Sequence, residues 1–103
     1  MPTADNTLVL VIDIQERLLP ALSQAEAFSA AAVRFIEGCR LLGVPLLLTE
    51  QYPKGLGATI EPVSRACADA LRFEKTRFSA YTPEVAAAIA QKQPENIVLI
   101  GCE

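Results

Sequence analysis

Apolar and polar positions along the chain fall into alternating strand-like and helix-like blocks. The first apolar run, Leu8–Ile12, contains no polar residue, which is typical of a strand buried on both faces of a parallel sheet. Further strands are predicted at 46–49, 71–75 and 96–100. With helices between them, this order predicts an α/β fold, a doubly wound parallel sheet of the Rossmann-like, three-layer α-β-α kind.

The first predicted helix rests on residue spacing and on start and stop signals. Ser23 and Glu26 have the spacing of a capping box, in which two side chains satisfy free amides at a helix start. Gly43 and Pro45 end the helix, since glycine suits the left-handed residue after a helix and proline prevents continuation. The predicted apolar stripe is Phe28, Ala32, Phe35, Cys39 and Leu42.

Two further helices and one loop complete the predicted elements. A short helix is expected near 62–70, and a longer one follows Thr82, whose hydroxyl would cap it ahead of Pro83. Residues 50–58 are polar and rich in glycine, and they are predicted to form a loop. The buried side of the longer helix is predicted to be Val85, Ala86, Ile89 and Ala90.

The carboxyl end of the first strand is predicted to lie at a switch point of the sheet. Right-handed crossovers allow the second and third strands to add on one side of the first, while the fourth crosses to the other. The apolar fourth strand would then be an exposed edge, which favours association. We therefore expect residues 1–103 to be a single incomplete domain, truncated after the fourth strand. The alternatives are that a partner segment completes the domain, or that a small four-stranded domain is complete as it stands.

Composition and charge exclude several classes of protein. Hydrophobic residues make up 51% and charged residues 20% of the chain, a balance typical of a folded domain. The net charge is −3 and the basic residues are scattered, so we expect no nucleic-acid partner. Arg34, Glu37 and Arg40 interrupt the richest apolar region, so we expect no membrane span.

The numbers of cysteines and histidines limit which cellular compartment and which kinds of catalytic or metal site we expect. The 3 cysteines are odd in number and widely spaced, which argues against a disulfide framework and for the cytoplasm. With no histidine, a conventional zinc site is not expected, and histidine-dependent triads are excluded within these residues. We expect no metal, no cofactor, a small-molecule substrate and a homo-oligomeric assembly.

Two charged residues at the ends of predicted strands are candidates for chemistry. Asp13 directly follows the first strand, at the edge where open α/β sheets bind ligands. Alternatively, Asp13 only caps the next turn. Lys75 ends the third predicted strand and would place its ammonium at the same edge. An ion pair with the neighbouring Glu74 is the alternative explanation.

The cysteines and the glycine-rich loop are weaker candidates. Cys39 and Cys67 fall on predicted helices and are interpreted as structural. Cys102 follows the fourth strand and would be a nucleophile only if it faced Lys75, whose ammonium would stabilise a thiolate. A buried structural role is the alternative for Cys102. In the loop, Tyr52 beside flexible glycines suits a binding rim.

Several segments, taken in order, resemble the isochorismatase-like cysteine hydrolases, in particular the branch called isochorismatase domain-containing proteins. The resemblance runs along the whole chain and corresponds to the N-terminal portion of the family's domain. The matching segments are Leu8–Gln15, Gly43–Pro45, Thr49–Gly57, Glu74–Ser79 and Ile97–Gly101.

The resemblance implies a catalytic trio of aspartate, lysine and cysteine. Asp13 and Lys75 match the first two by motif. The family's cysteine begins a helix after the fourth strand and would fall a few residues beyond Glu103, so Cys102 does not match it. The implied activity is hydrolysis of small amide-type or related substrates, and a chain without that cysteine is predicted to be inactive. The matched segments also supply the residues expected to bind substrate, which are Gln15, Gln51, Tyr52 and Phe78.

Alternative functions remain open at this point. A non-catalytic member of the same family would act as an oligomerising or ligand-binding domain, and a missing nucleophile is its expected sign. A metal-dependent nicotinamidase is disfavoured because Tyr52 and Lys54 lie where such members carry histidines. A phosphoacceptor role for Asp13 is disfavoured because Gln15 lies where a phosphatase-like site needs a second aspartate.

Overall fold

The structure is a computed structural model that describes residues 3, 5–21, 24–68, 70–77 and 79–102. These residues contain one sheet with the strand order β3-β2-β1-β4, and every neighbouring pair is parallel. The strands are β1 (Thr7–Ile12), β2 (Leu46–Gln51), β3 (Leu71–Lys75) and β4 (Asn96–Gly101). The second and third strands lie on one side of the first and the fourth on the other, which confirms the predicted switch point beside β1.

Helices cover both faces of the sheet, as the three-layer prediction requires. They are α1 (Ala25–Leu42), α2 (Pro53–Leu56), α3 (Glu61–Ala66) and α4 (Pro83–Lys92), with a 3₁₀ turn at Leu19–Ala21. Helices α1 and α3 pack on one face and α4 packs on the other. No helix within the described ranges is long and apolar enough to cross a membrane.

The unbroken apolar sequence of β1 follows from its central place in the sheet. Val9 and Val11 face the core beneath α1 and α3, while Leu8 and Leu10 face the core beneath α4. All four side chains are buried, so neither face of this strand has a position for a polar residue. Full burial of such a side chain stabilises the fold by about 1.5–3 kcal/mol.

The apolar stripe of α1 differs in phase from the prediction. Its buried residues are Ala32, Ile36 and Cys39, whereas Phe35 and Leu42 are 40% and 72% exposed. Apolar residues occupy neighbouring positions on this helix, so spacing alone permits two stripes, and packing against α3 and the sheet selects one. Gly43 has the predicted left-handed backbone (φ 76°) at the end of the helix. The predicted capping box is wrong, because Gln24, with a left-handed backbone (φ 58°) and no side-chain cap hydrogen bond, occupies the cap position. Ser23 itself lies outside the described residues.

The segment predicted as a loop at 50–58 is partly regular structure. Strand β2 runs on through Gln51 because Glu50 and Gln51 pair with the last residues of β3. A single helical turn, α2, follows, with Pro53 in its first turn. Helix α3 is also shorter than the predicted 62–70, and it ends at Ala66.

The cap of α4 is confirmed, and its predicted buried side is corrected. The Thr82 hydroxyl accepts a hydrogen bond from the Val85 amide at 3.3 Å. Val85 is fully buried and Ile89 packs beside it, but Ala90 is exposed and Ala88 packs in its place. The short side chain of alanine occurs all around this helix, so its spacing does not fix the buried face.

Candidate active site

Asp13 lies at the carboxyl end of β1 in a strained and completely buried position. Its backbone is left-handed (φ 55°), a conformation that aspartate tolerates better than most residues. Its amide donates to the Thr49 carbonyl at 3.2 Å, one residue past the last pair of the β1–β2 ladder. A left-handed backbone in a residue other than glycine is strained, and such strain is often found at functional sites.

The Lys75 ammonium lies against the Asp13 carboxylate. The distance from Lys75 Nζ to Asp13 Oδ2 is 2.7 Å, and the two side chains are 1% and 0% exposed. Lys75 reaches this position from the end of β3, across the intervening strand β2. The sheet therefore brings the two predicted catalytic residues together, in a pair shielded from solvent. The predicted alternative partner, Glu74, is an exposed residue of the same strand.

Thr49 holds the other carboxylate oxygen of Asp13 and was missed in the sequence. Its hydroxyl donates to Asp13 Oδ1 at 2.9 Å, and its side chain is buried. The signal for it was present, because Thr49 is the first polar residue after the leucines of the second strand. Parallel register places that residue beside the end of β1, where Ile12 pairs with Thr49.

The side chains of Gln15 and Gln51 lie beside the pair. Gln51 accepts a hydrogen bond from Lys75 Nζ through Oε1 at 2.7 Å. Gln15 is completely buried, and its amide exchanges hydrogen bonds with the Gln51 backbone and donates to the Gly57 carbonyl. Four of the residues predicted for the site, namely Asp13, Lys75, Gln15 and Gln51, thus form one connected network.

Tyr52 lies on the rim of a cleft next to this network. The cleft, which we call the Tyr52 cleft, measures about 490 Å³ and is lined by Tyr52, Pro53, Lys54, residues 74–77 and residues 82–84. Tyr52 is 54% exposed. Its ring packs over Gly55, where an added Cβ would lie 2.4 Å from a ring carbon. Phe78, the remaining predicted substrate-binding residue, lies outside the described residues.

The three cysteines lie on the face of the sheet that α1 and α3 cover. Cys39 and Cys67 are buried in the cluster beneath α1 and α3, and burial raises the pKa of both thiols. Arg72 and Arg40 act in the opposite direction on the pKa of Cys67. Cys102 is half-buried and packs against the same cluster. These positions agree with the structural interpretation of the thiols.

Gly101 allows β4 to approach the end of β1 closely. A Cβ at this position would lie 2.2 Å from the Ile12 carbonyl oxygen, which is backbone and has little freedom to move. Directly after it, the Cys102 amide donates to that same oxygen at 3.1 Å. Gly101 therefore sets where the chain leaves β4, next to the turn that carries Asp13.

The arrangement has the parts of a proton-transfer site. A carboxylate in a dry environment is held by one hydroxyl and one ammonium, so its orientation is fixed before a substrate arrives. Electrostatic interactions are stronger there than in water because the local dielectric constant is low. Among the described residues, no group of three or more histidine, cysteine, aspartate or glutamate side chains comes together as a metal site would require.

Known proteins are similar in sequence to this chain over nearly all of its residues. Isochorismatase domain-containing protein 1 of Salmo salar is 39% identical over 99 residues, which cover 95% of this chain and 35% of that protein. Isochorismatase domain-containing protein 2 of Danio rerio is 35% identical over 100 residues, which cover 95% and 49%. The chain therefore spans a third to a half of the length of these relatives.

Solved structures share the fold. A structure titled MAR1 ribonuclease, from Caenorhabditis elegans, superposes with a TM-score of 0.89 at 31% identity, over 97% of this chain and 52% of that one. The YcaC gene product of Escherichia coli, described as an octameric hydrolase of unknown specificity, has a TM-score of 0.89. Its identity of 17%, over 97% and 52% of the two chains, is evidence of shared fold alone. Residues 7–103 match the Isochorismatase domain family model, and the chain belongs to that family.

Proposed function

We propose that this protein is a cysteine hydrolase of small amide-type or related substrates, in which Asp13 and Lys75 are two members of the catalytic trio. The thiol is supplied by a cysteine that follows β4, beyond Glu103. The observation that carries the proposal is the buried 2.7 Å contact between Lys75 and Asp13 at the carboxyl edge of the sheet. Family membership supports hydrolase chemistry in general, and the site geometry supports this specific form of it.

The first half of the reaction uses Asp13 as the general base. Asp13 accepts the thiol proton, and the thiolate electron pair forms a carbon–sulfur bond at the substrate carbonyl. The tetrahedral oxyanion then collapses, the carbon–nitrogen bond breaks, and the leaving nitrogen takes the proton back from Asp13. The acyl group remains on the cysteine as a thioester.

The second half releases the acid. Asp13 takes a proton from water, the resulting hydroxide attacks the thioester carbon, and the carbon–sulfur bond breaks. The departing sulfur takes that proton from Asp13, which returns both groups to their starting protonation states. Throughout, the Lys75 ammonium favours the thiolate and keeps the Asp13 carboxylate in place.

The Tyr52 cleft is the proposed entrance for the substrate. Its volume of about 490 Å³ lies within the range of about 300–1,000 Å³ that is usual for small-molecule sites. Tyr52 offers an exposed aromatic face, and the buried Lys75 is also part of the lining. We assign substrate contact to Tyr52, and Phe78 remains a predicted contact.

A nucleic-acid substrate is not what the charge of this chain favours, although one structural relative is titled a ribonuclease. Such a substrate needs a concentrated basic surface, and the 9 lysines and arginines here are outnumbered by 12 acids.

The proposed assembly is a homo-oligomer, in line with the octamer described for a protein of the same fold. The proposed location is the cytoplasm, where the thiols stay reduced.

The direct test is a hydrolysis screen of small amides and isochorismate, with an RNA oligonucleotide included, on the longer protein that contains the segment after Glu103. We expect turnover of an amide or related small molecule, loss of turnover when the predicted cysteine is replaced by alanine, and no RNA cleavage. The 103-residue chain alone is expected to be inactive. Turnover by this chain that requires Cys102 would make Cys102 the nucleophile and overturn the assignment of the thiol.

A further inference from the structure

Gln51 and Gln15 connect the Asp13–Lys75 pair to the chain that follows β2. We infer that Gln51 is a positioning residue that fixes the Lys75 ammonium against Asp13, and that Gln15 in turn fixes Gln51. The inference rests on the proposed function in so far as it gives the positioned pair a catalytic purpose. The positioning itself is a statement about Lys75 that can be measured without any substrate.

The Lys75 ammonium has an acceptor for each of its three N–H groups. These acceptors are Asp13 Oδ2 at 2.7 Å, Gln51 Oε1 at 2.7 Å and the Arg77 carbonyl at 3.2 Å. An ammonium that donates in three directions has one preferred position and rotation, whereas one that donates to a single carboxylate can swing about it. Gln51 supplies the only neutral side chain among these three acceptors.

The orientation of the Gln51 amide is fixed from its other end. Its Nε2 donates to the Thr76 carbonyl at 3.2 Å, which leaves Oε1 directed at the lysine. The oxygen is the end that an ammonium requires, because an ammonium has donors and no acceptor. A glutamine also satisfies the lysine without adding charge, so Asp13 remains the only carboxylate that the ammonium contacts in these bonds.

The side chain of Gln15 takes the place of a neighbouring strand beside the backbone of Gln51. Strand β1 leaves the sheet at Ile12, so the backbone of Gln51 has lost its neighbour on that side. The Gln15 amide fills that place, since Oε1 accepts from the Gln51 N–H at 2.6 Å and Nε2 donates to the Gln51 carbonyl at 2.9 Å. A side-chain amide thus reproduces the pair of hydrogen bonds that a backbone residue of β1 would make.

Gln15 also forms hydrogen bonds with the segment that follows α2, at Gly57 and Thr59. Its Nε2 donates to the Gly57 carbonyl at 2.7 Å, and the Gln15 backbone bridges to Thr59. With these bonds made and the side chain completely buried, Gln15 is assigned a supporting role. The path of support runs from Gln15 to the backbone of Gln51, and from the Gln51 side chain to Lys75.

The test is the acylation of Lys75 relative to Lys54 by a succinimidyl acetate reagent, followed by mass spectrometry of the purified protein. Lys54 is exposed and serves as the internal reference. Loss of one hydrogen bond to a charged group corresponds to about a tenfold change, so Gln51→Leu should raise the Lys75-to-Lys54 ratio about tenfold. Gln51→Glu keeps an acceptor at the same reach and gives it a negative charge, so the ratio should not rise above that of the parent.

The matched control is Gln91→Leu, the same substitution at an exposed position of α4, which should not change the ratio. An unchanged ratio in Gln51→Leu would overturn the inference. If that variant unfolds, Gln51→Asn takes its place, because it keeps the amide but shortens its reach by one methylene, and it should also raise the ratio. For Gln15→Leu, we expect faster hydrogen exchange at the Gln51 amide, and unchanged exchange there would remove Gln15 from the path.

Activity of the longer protein separates this inference from the proposed function. If Asp13→Asn abolishes hydrolysis but Gln51→Leu leaves the Lys75 ratio unchanged, the positioning role fails while the function stands. If the ratio rises in Gln51→Leu but no variant affects any hydrolysis, the positioning role stands while the function fails. Where both hold, Gln51→Leu should lower kcat more than it raises KM, since the residue acts on the pair and not on the substrate.

Discussion

The hydroxyl of Thr49 donates to Asp13 Oδ1 at 2.9 Å, and both side chains are completely buried. The carboxylate oxygen that does not contact Lys75 is therefore held by a neutral donor from the neighbouring strand. This bond fixes the plane of the carboxylate, while the lysine supplies the opposite charge. Two strands, β2 and β3, together determine how the acid at the end of β1 is presented.

Thr49→Val tests that relationship without changing the shape of the side chain. Removing the hydroxyl leaves Asp13 Oδ1 without this donor, which should lower the free energy of unfolding by about 1–3 kcal/mol. Urea denaturation followed by circular dichroism measures the change. Thr76→Val, at an exposed position, should alter stability by less than about 0.5 kcal/mol. Equal effects at the two positions would mean that the buried hydroxyl contributes nothing specific.

The Asp13–Lys75 pair should be strongly coupled in stability. Lys75→Met leaves a buried carboxylate without its cation, and breaking a buried pair in this way costs about 3–5 kcal/mol. Adding Asp13→Asn removes the uncompensated charge, so the double variant should be more stable than Lys75→Met alone. A double-mutant cycle by urea denaturation measures the coupling, with Lys92→Met as the exposed control. Simple additivity of the two single substitutions would contradict the buried ion pair.

Gly101→Ala should destabilise the protein through a clash with backbone. The new Cβ would lie 2.2 Å from the Ile12 carbonyl oxygen, and overpacking of this kind costs about 1–3 kcal/mol. Gly38→Ala is the matched control, because nothing lies within 4 Å of its added Cβ. Within helix α1 that change should stabilise by about 0.5–1 kcal/mol. Thermal unfolding should therefore shift in opposite directions for the two variants.

Ionisation of the Cys67 thiol should lower the free energy of unfolding at alkaline pH. Burial raises the pKa of its thiol above the ordinary value of 9.0, so the folded protein keeps the proton after the unfolded chain has lost it. The stabilisation is complete below pH 9.0 and is lost as the pH rises through the higher folded pKa. The free energy of unfolding of Cys67→Ala, measured by urea denaturation at several alkaline pH values, should decline less steeply than that of the parent. Identical slopes would show that the thiol does not ionise differently in the two states.

The main elements of the fold could be predicted because its central features leave direct signals in the sequence. The run Leu8–Ile12 is apolar throughout because β1 is covered on both faces, and the alternation of elements with right-handed crossovers limits the strand order. Asp13 and Lys75 were found because each directly follows or ends a predicted strand. The carboxyl ends of parallel strands share one edge, so such residues are brought close together.

The remaining features depend on contacts that have no local signal. Phe35 and Ile36 are equally apolar neighbours, and only the packing of α1 against α3 decides that Ile36 is the buried one. The left-handed backbone of Asp13 and the side-chain ladder of Gln15 arise where β1 leaves the sheet while β2 continues. That difference in strand length follows from pairing between β2 and β3, which involves polar residues such as Gln51.

The most direct test of the account is the kcat/KM of Asp13→Asn in the longer protein that contains the predicted cysteine. Asparagine has the same shape and tolerates the left-handed backbone, but it leaves the buried Lys75 ammonium without its counter-charge and should lower the melting temperature, so the assay is run at a temperature where the variant is folded. A general base contributes about 10²–10⁴-fold, and we predict a loss of kcat/KM of that size with an amide substrate. A variant that remains folded and retains the parent value of kcat/KM would show that Asp13 is not the base and would contradict the proposed site.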